Sequence, residues 1–165
     1  MTSQSLRSQT LGMALVLGLS LLGLPASAQT GPFQNLSGFW SGAGTITFSN
    51  GARERIRCRV SYAVQNGGGV MQQDLRCASD SYRFDVSSTV QSSGGNIAGQ
   101  WTETSRGVTG SVTGQANSSQ VEALIQAPGF VASLSLRTSG NKQTVVLRPT
   151  GFEVSDVSVG LSRSR

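Results

Sequence analysis

From residue 38 onward the chain alternates apolar and polar positions in short runs, and each run ends in glycine, asparagine, serine or proline. A period of two marks half-buried strands, and no long stretch carries the 3.6 period of a helix. The runs predict strands at 38–48, 54–65, 70–79, 82–91, 97–105, 108–116, 121–127, 130–138, 143–150 and 153–162. Between them lie the turn signals Asn50-Gly51, Asp80-Ser81, Arg106-Gly107 and Pro128-Gly129. About eight to ten short antiparallel strands joined this tightly predict an all-β, up-and-down barrel, because closure removes exposed edges. A β-sandwich is the alternative arrangement. Residues 29–36 read as an irregular lead-in.

Two hairpins can be registered. Asn66-Gly67-Gly68-Gly69 is a turn, and centring it between Gly67 and Gly68 sets Cys58 opposite Cys77, Val60 opposite Leu75, Tyr62 opposite Gln73 and Val64 opposite Met71. If the turn is a four-residue loop, the cysteines meet at a non-hydrogen-bonded position, where opposed residues are closer. They are the only two cysteines, and in an exported chain such a pair forms one disulfide. A free thiol or a metal site is the competing reading, with no histidine or third soft ligand to support it. The second hairpin, turning at Arg106-Gly107, is predicted to set Trp101 opposite Val112 and Glu103 opposite Gly110.

The segment before the barrel has a different pattern. One charge at Arg7 precedes an apolar run from Leu11 to Leu24, which is too short to span a bilayer. Pro25 and the small residues Ala26-Ser27-Ala28 follow. This is the layout of a cleavable secretory signal peptide over residues 1–28, leaving 29–165 as a single domain delivered to the periplasm or secreted. No basic cluster follows the apolar run to retain it as an anchor, and no cysteine stands at the cut to make a lipoprotein.

Charge and composition narrow the chemistry. The formal charge is +5, nearly all from arginine, with Lys142 the single lysine. That is below the basic density of a nucleic-acid binder. The chain has no histidine. Ser-His and Cys-His pairs, histidine metal sites and histidine pH switches are thereby excluded. No phosphate loop, nucleophile elbow or calcium loop is present. No cofactor is expected.

Three sets of residues stand out. Arg53, Arg55, Arg57 and Arg59 alternate, so one strand face carries all four, with Arg76 opposite Arg59 and Asp80 opposite Arg55 in the hairpin register. Arg55, Arg57, Arg59 and Arg76 are therefore candidate anion-binding residues, suited to phosphate or carboxylate groups of the bacterial envelope. The alternative is a solvated outer face whose charges discourage strand aggregation. Glu103 shares the apolar parity of Trp101, which offers either a buried carboxylate of raised pKa or one reaching solvent at the rim. Asp85 has the wrong parity to make a carboxylate pair with it. Tyr62, Phe84, Trp101 and Glu103 are candidate ligand-binding residues on an inward face that also carries Val60, Val64, Leu75, Val112 and Leu134.

Leu36-Ser37-Gly38-Phe39-Trp40-Ser41-Gly42 resembles the first-strand Gly-x-Trp of calycins, the lipocalin and avidin type of barrel. The resemblance implies that Trp40 plugs one end of the barrel and that a ligand occupies the other. The order Trp40, Cys58, Cys77 is also similar to Inh-type metalloprotease inhibitors, which implies a lead-in, here 29–36, that enters a protease cleft. Glu54-Arg55-Ile56-Arg57-Cys58-Arg59 and Leu75-Arg76-Cys77-Ala78-Ser79-Asp80-Ser81-Tyr82 resemble a group of small exported proteins of rhizobial-type alphaproteobacteria. That likeness implies a periplasmic setting and no particular activity. The reading that follows is a non-catalytic exported barrel that binds a small apolar or amphipathic ligand or an anionic envelope component. The second reading is a protein-binding barrel such as a metalloprotease inhibitor.

Overall fold

A computed structural model describes residues 30–164. The predicted signal peptide lies outside those residues. Ten antiparallel strands close into one barrel. They are β1 (Gly38–Phe48), β2 (Arg53–Gln65), β3 (Val70–Ala78), β4 (Arg83–Ser93), β5 (Asn96–Glu103), β6 (Val108–Ala116), β7 (Gln120–Ala127), β8 (Phe130–Ser139), β9 (Lys142–Pro149) and β10 (Val154–Arg163). Each strand pairs with its sequence neighbours, and β1 pairs with β10 to seal the sheet. The sandwich alternative is thus set aside.

The period-two pattern decides which face turns in. In β2, Ile56, Cys58, Val60 and Tyr62 are buried, while Arg53, Arg55, Arg57 and Arg59 are exposed. The hairpin to β3 has the expected register, with Cys58 opposite Cys77 and Val60 opposite Leu75. The two cysteines form a disulfide, with Cα atoms 4.1 Å apart. That short spacing belongs to the non-hydrogen-bonded positions of an antiparallel pair. The β5–β6 hairpin differs from expectation by two residues. Trp101 lies opposite Gly110 and Glu103 opposite Val108, so the turn is the four residues 104–107. The Glu103 carboxylate causes this. It accepts hydrogen bonds from the Ser105 hydroxyl at 2.6 Å and the Arg106 amide at 2.7 Å, which hold the wider turn.

One end of the barrel is plugged by the lead-in. Gly31 and Phe33 donate backbone hydrogen bonds to the Gly67 and Gly68 carbonyls at 2.8 and 3.1 Å. Gly68 is buried at φ 96°, and a side chain there would strike the Gly31 carbonyl, so glycine is required for this docking. Phe33 and Leu36 are fully buried. Each contributes about 2 kcal/mol of apolar burial. Trp40 donates its indole N–H to the Leu36 carbonyl at 2.7 Å, and the Arg163 guanidinium lies 4.2 Å over its ring. That stacking is a cation–π contact. Arg163 also bonds the carbonyls of Asn35 and Ser37, tying β10 to the plug.

Candidate functional site

The meander places every second turn at the same end of the barrel. Opposite the plug are the turns following β1, β3, β5, β7 and β9. Aromatic side chains collect there. Tyr82 stacks on Phe84 at 5.9 Å between ring centroids and meets Phe48 at 5.8 Å. Across the mouth, Phe130 meets Trp101 edge-on at 5.9 Å and Phe152 at 5.1 Å. Arg106 sits 6.0 Å from the centre of Phe84.

The inward face is unevenly buried. Trp40, Val60, Tyr62, Met71, Val90, Ile97, Val121 and Leu136 are buried in the plugged half, and Ile46 and Ile56 are buried toward the mouth. Phe48, Leu75, Phe84, Trp101, Ile125, Leu134, Val145 and Val157 also belong to the inward face but are only half-buried. Ten strands give a wider bore than the eight that already suffice to hold one small ligand in closed barrels.

The four candidate ligand residues do not converge. Phe84 and Trp101 line the mouth, on opposite aromatic clusters. Tyr62 lies in the plugged half, where its hydroxyl donates to Gln143 Oε1 at 3.1 Å and Gln143 Nε2 donates to Thr138 Oγ1 at 3.3 Å. Burial raises the Tyr62 pKa further above the ordinary phenol value, against the opposing Gln143 hydrogen bond. Its polar tip is committed to that internal chain.

Glu103 is buried, as one expectation had it, but its pKa moves the other way. Desolvation pushes it up. The Ser105 hydroxyl, the Asp85 and Arg106 amides and the Arg106 charge outweigh that and bring it down to about 2. All of its strong partners belong to the hairpin turn or to β4. The carboxylate works as a turn clamp at the mouth. Trp101 is different: its indole N–H is buried without a hydrogen-bond partner, packed over Gly110. Buried donors are nearly always satisfied, so an orphan of this kind calls for an explanation.

On the outer wall the expected arginine row is present on β2, with Arg76 opposite Arg59. Arg76 is engaged by Asp85 at 3.9 Å, which Arg83 also approaches at 3.4 Å. Asp80 does not pair with Arg55, because the β2–β3 ladder ends at Arg57 and Ala78 and Asp80 falls in the following turn. Asp74 accepts the Ser87 hydroxyl at 2.7 Å and makes no ion pair with Arg59. Of the lead-in 29–36 that the inhibitor resemblance assigns to a protease cleft, residues 31–36 are built into the plug and do not form a free arm.

Phe48, Phe130, Phe152 and Arg106 were not singled out from the sequence. A signal for them exists. Each stands in or beside a turn that the meander order sends to the same barrel end.

No known protein family matches the chain, and no curated protein does. Solved structures do match. The structure of Rv2717c from M. tuberculosis superposes with a TM-score of 0.63 at 16% identity, over 80% of this chain and 94% of that one. The S-type phycobiliprotein lyase CPES from Guillardia theta superposes with a TM-score of 0.54 at 7% identity, over 81% of this chain and 90% of that one. The chain thus shares the closed antiparallel barrel fold of these structures. At these identities the likeness is one of fold.

Proposed function

We propose that this chain is a non-catalytic exported binding barrel that takes a small amphipathic molecule through the aromatic mouth opposite the plug. The observation that carries the reading is the half-buried inward face, from Phe84 and Trp101 down to Leu134 and Val145, behind two facing aromatic clusters. Pockets for small ligands are mostly apolar with a few placed polar groups. Here the orphan Trp101 N–H is a donor for an occupant's oxygen, and Arg106 is a cation beside the opening. The phycobiliprotein lyase among the fold neighbours is in keeping with a barrel that engages other molecules. Export is supported by the pattern of residues 1–28 and by the Cys58–Cys77 disulfide, a bond that persists in oxidising compartments.

One preparation tests both parts. The full gene product is expressed with its own leader in an exporting bacterial host, recovered from periplasm and medium, and measured by native and denaturing mass spectrometry. The expected denaturing mass begins at Gln29 with the disulfide formed, and the native spectrum carries a lipid-sized adduct. Adding palmitate is expected to change tryptophan fluorescence, and Leu134→Trp, which fills the inward wall, abolishes palmitate binding. A protein that carries no adduct and binds no palmitate, or a Leu134→Trp variant that binds normally, refutes the internal site.

A further inference from the structure

Outside the barrel four arginines stand in a line. Arg53, Arg55, Arg57 and Arg59 occupy successive outward positions of β2, and all are exposed. Alternate residues of a strand lie about 6.7 Å apart, so the row extends about 20 Å. Among the described residues none of the four makes an ion pair. The acids nearby are engaged elsewhere: Asp85 with Arg76 and Arg83, Asp156 with Arg148 at 3.1 Å, and Asp74 with the Ser87 hydroxyl. Glu54 has inward parity and accepts the Ser81 amide. Four like charges at this spacing repel one another, and among the described residues no carboxylate is paired with any of them.

The ground beside the row is low. On β1 the residues paired with Arg53, Arg55, Arg57 and Arg59 are Thr47, Thr45, Ala43 and Ser41. Beyond them β10 presents Asp156, Ser158, Gly160 and Ser162, with Asp156 paired to Arg148. A shallow depression of about 430 Å³ lies on this shelf, lined by Ala43, Gly44, Thr45, Arg53, Glu54 and Arg55. On the other flank β3 and the following turn carry the exposed acids Asp74 and Asp80. The arginines without an ion pair on this wall therefore form a line one strand wide. A bilayer surface would need cations spread over a plane and would press against those acids. A single extended chain needs only the line.

We propose that the β2 arginine row is a docking site for an extended linear polyanion, lying on the β1 shelf with successive phosphate or carboxylate groups held by successive guanidinium forks. Planar forked donors match both groups. Arg76 is outside the site because Asp85 occupies it. The site is independent of the barrel interior.

The test uses the protein exported with its own leader and three probes: long-chain inorganic polyphosphate, polygalacturonate, and phosphatidylcholine vesicles containing phosphatidylglycerol, matched in anionic charge. Two variants remove the same formal charge. One changes Arg53, Arg55, Arg57 and Arg59 to Gln; the other changes Arg76, Arg83, Arg137 and Arg148 to Gln. The wild type is expected to bind at least one polymer, more weakly as salt rises. The row variant should bind at least tenfold more weakly and the control variant within threefold of wild type. Equal losses in both variants would reduce the effect to net charge and overturn the proposal. So would absence of polymer binding at low salt, or binding of vesicles alone. If the fourfold row variant does not fold, Arg55→Gln with Arg57→Gln carries the test, with at least a threefold loss expected and an unchanged affinity refuting the site.

Discussion

Changing Cys58 and Cys77 together to Ala should destabilise the barrel through two separable contributions. The cross-link joins residues 19 apart in sequence. Closing a loop of that size in the unfolded chain is worth about 3 kcal/mol on the chain-entropy account. The two sulfurs are also buried in the wall, with Cys58 4% and Cys77 8% exposed. Deleting them leaves small voids costing about 1–2 kcal/mol together. The double variant should therefore lose about 4–5 kcal/mol, a large part of the roughly 5–15 kcal/mol typical of a domain. Urea unfolding of three species separates the contributions. The wild type with its disulfide reduced keeps its sulfurs and should lose only the 3 kcal/mol part; the Ala variant should lose both. Because the cross-link acts on the unfolded chain, its loss should slow folding more than it speeds unfolding. A reduced wild type within about 1 kcal/mol of the oxidised form would refute the loop-closure contribution. The Asn66–Gly69 turn would then hold residues 58 and 77 together in the denatured chain already, and the bond would constrain nothing further.

Glu103→Gln should cost about 1–2 kcal/mol at neutral pH, because the clamp on the 104–107 turn loses its charge. The folded-state pKa of about 2 lies below the ordinary carboxylate value of 4.5. The charged clamp therefore stabilises fully above about pH 4.5 and progressively less as pH falls toward 2. Urea midpoints from pH 7 down to pH 2.5 should fall more steeply for the wild type than for the variant, and parallel curves would refute the assignment. Tyr62→Phe leaves Gln143 Oε1 without its donor in the plugged half and should cost about 1–2 kcal/mol. Thermal melting checks it, with an unchanged midpoint as the contrary result.

What could be read from the sequence was whatever depends on near neighbours. Strand positions follow from alternation and turn residues, so most predicted bounds fall within one or two residues of the observed ones. The β2–β3 register follows because a symmetric four-residue turn leaves little choice. The β5–β6 register was misplaced because the turn is set by a side chain, Glu103, reaching over its own loop, and loop glycines alone do not show that. The plug has the sequence pattern of irregular chain. Phe33 and Leu36 have no strand or helix period around them, and their docking depends on Gly68, more than thirty residues away. The Tyr62–Gln143 bond and the Arg163–Trp40 stack join segments far apart in the chain, which no local pattern encodes. The arginine row was fully legible. Its lack of partners was not, because Asp85 is recruited by Arg76 and Arg83 only once β3 and β4 are paired.

The seam between β1 and β10 joins the earliest strand of the barrel to the latest. A ribosome releases β1 well before β10, and until both exist the sheet has two bare edges and no closed wall. The barrel is therefore completed only after the whole chain is available. A polypeptide with that timetable stays pliable while it is being made and sets hard only once its last strand is present. A break anywhere in β10 would leave β1 and β9 as open edges, so incomplete chains should be the sticky ones.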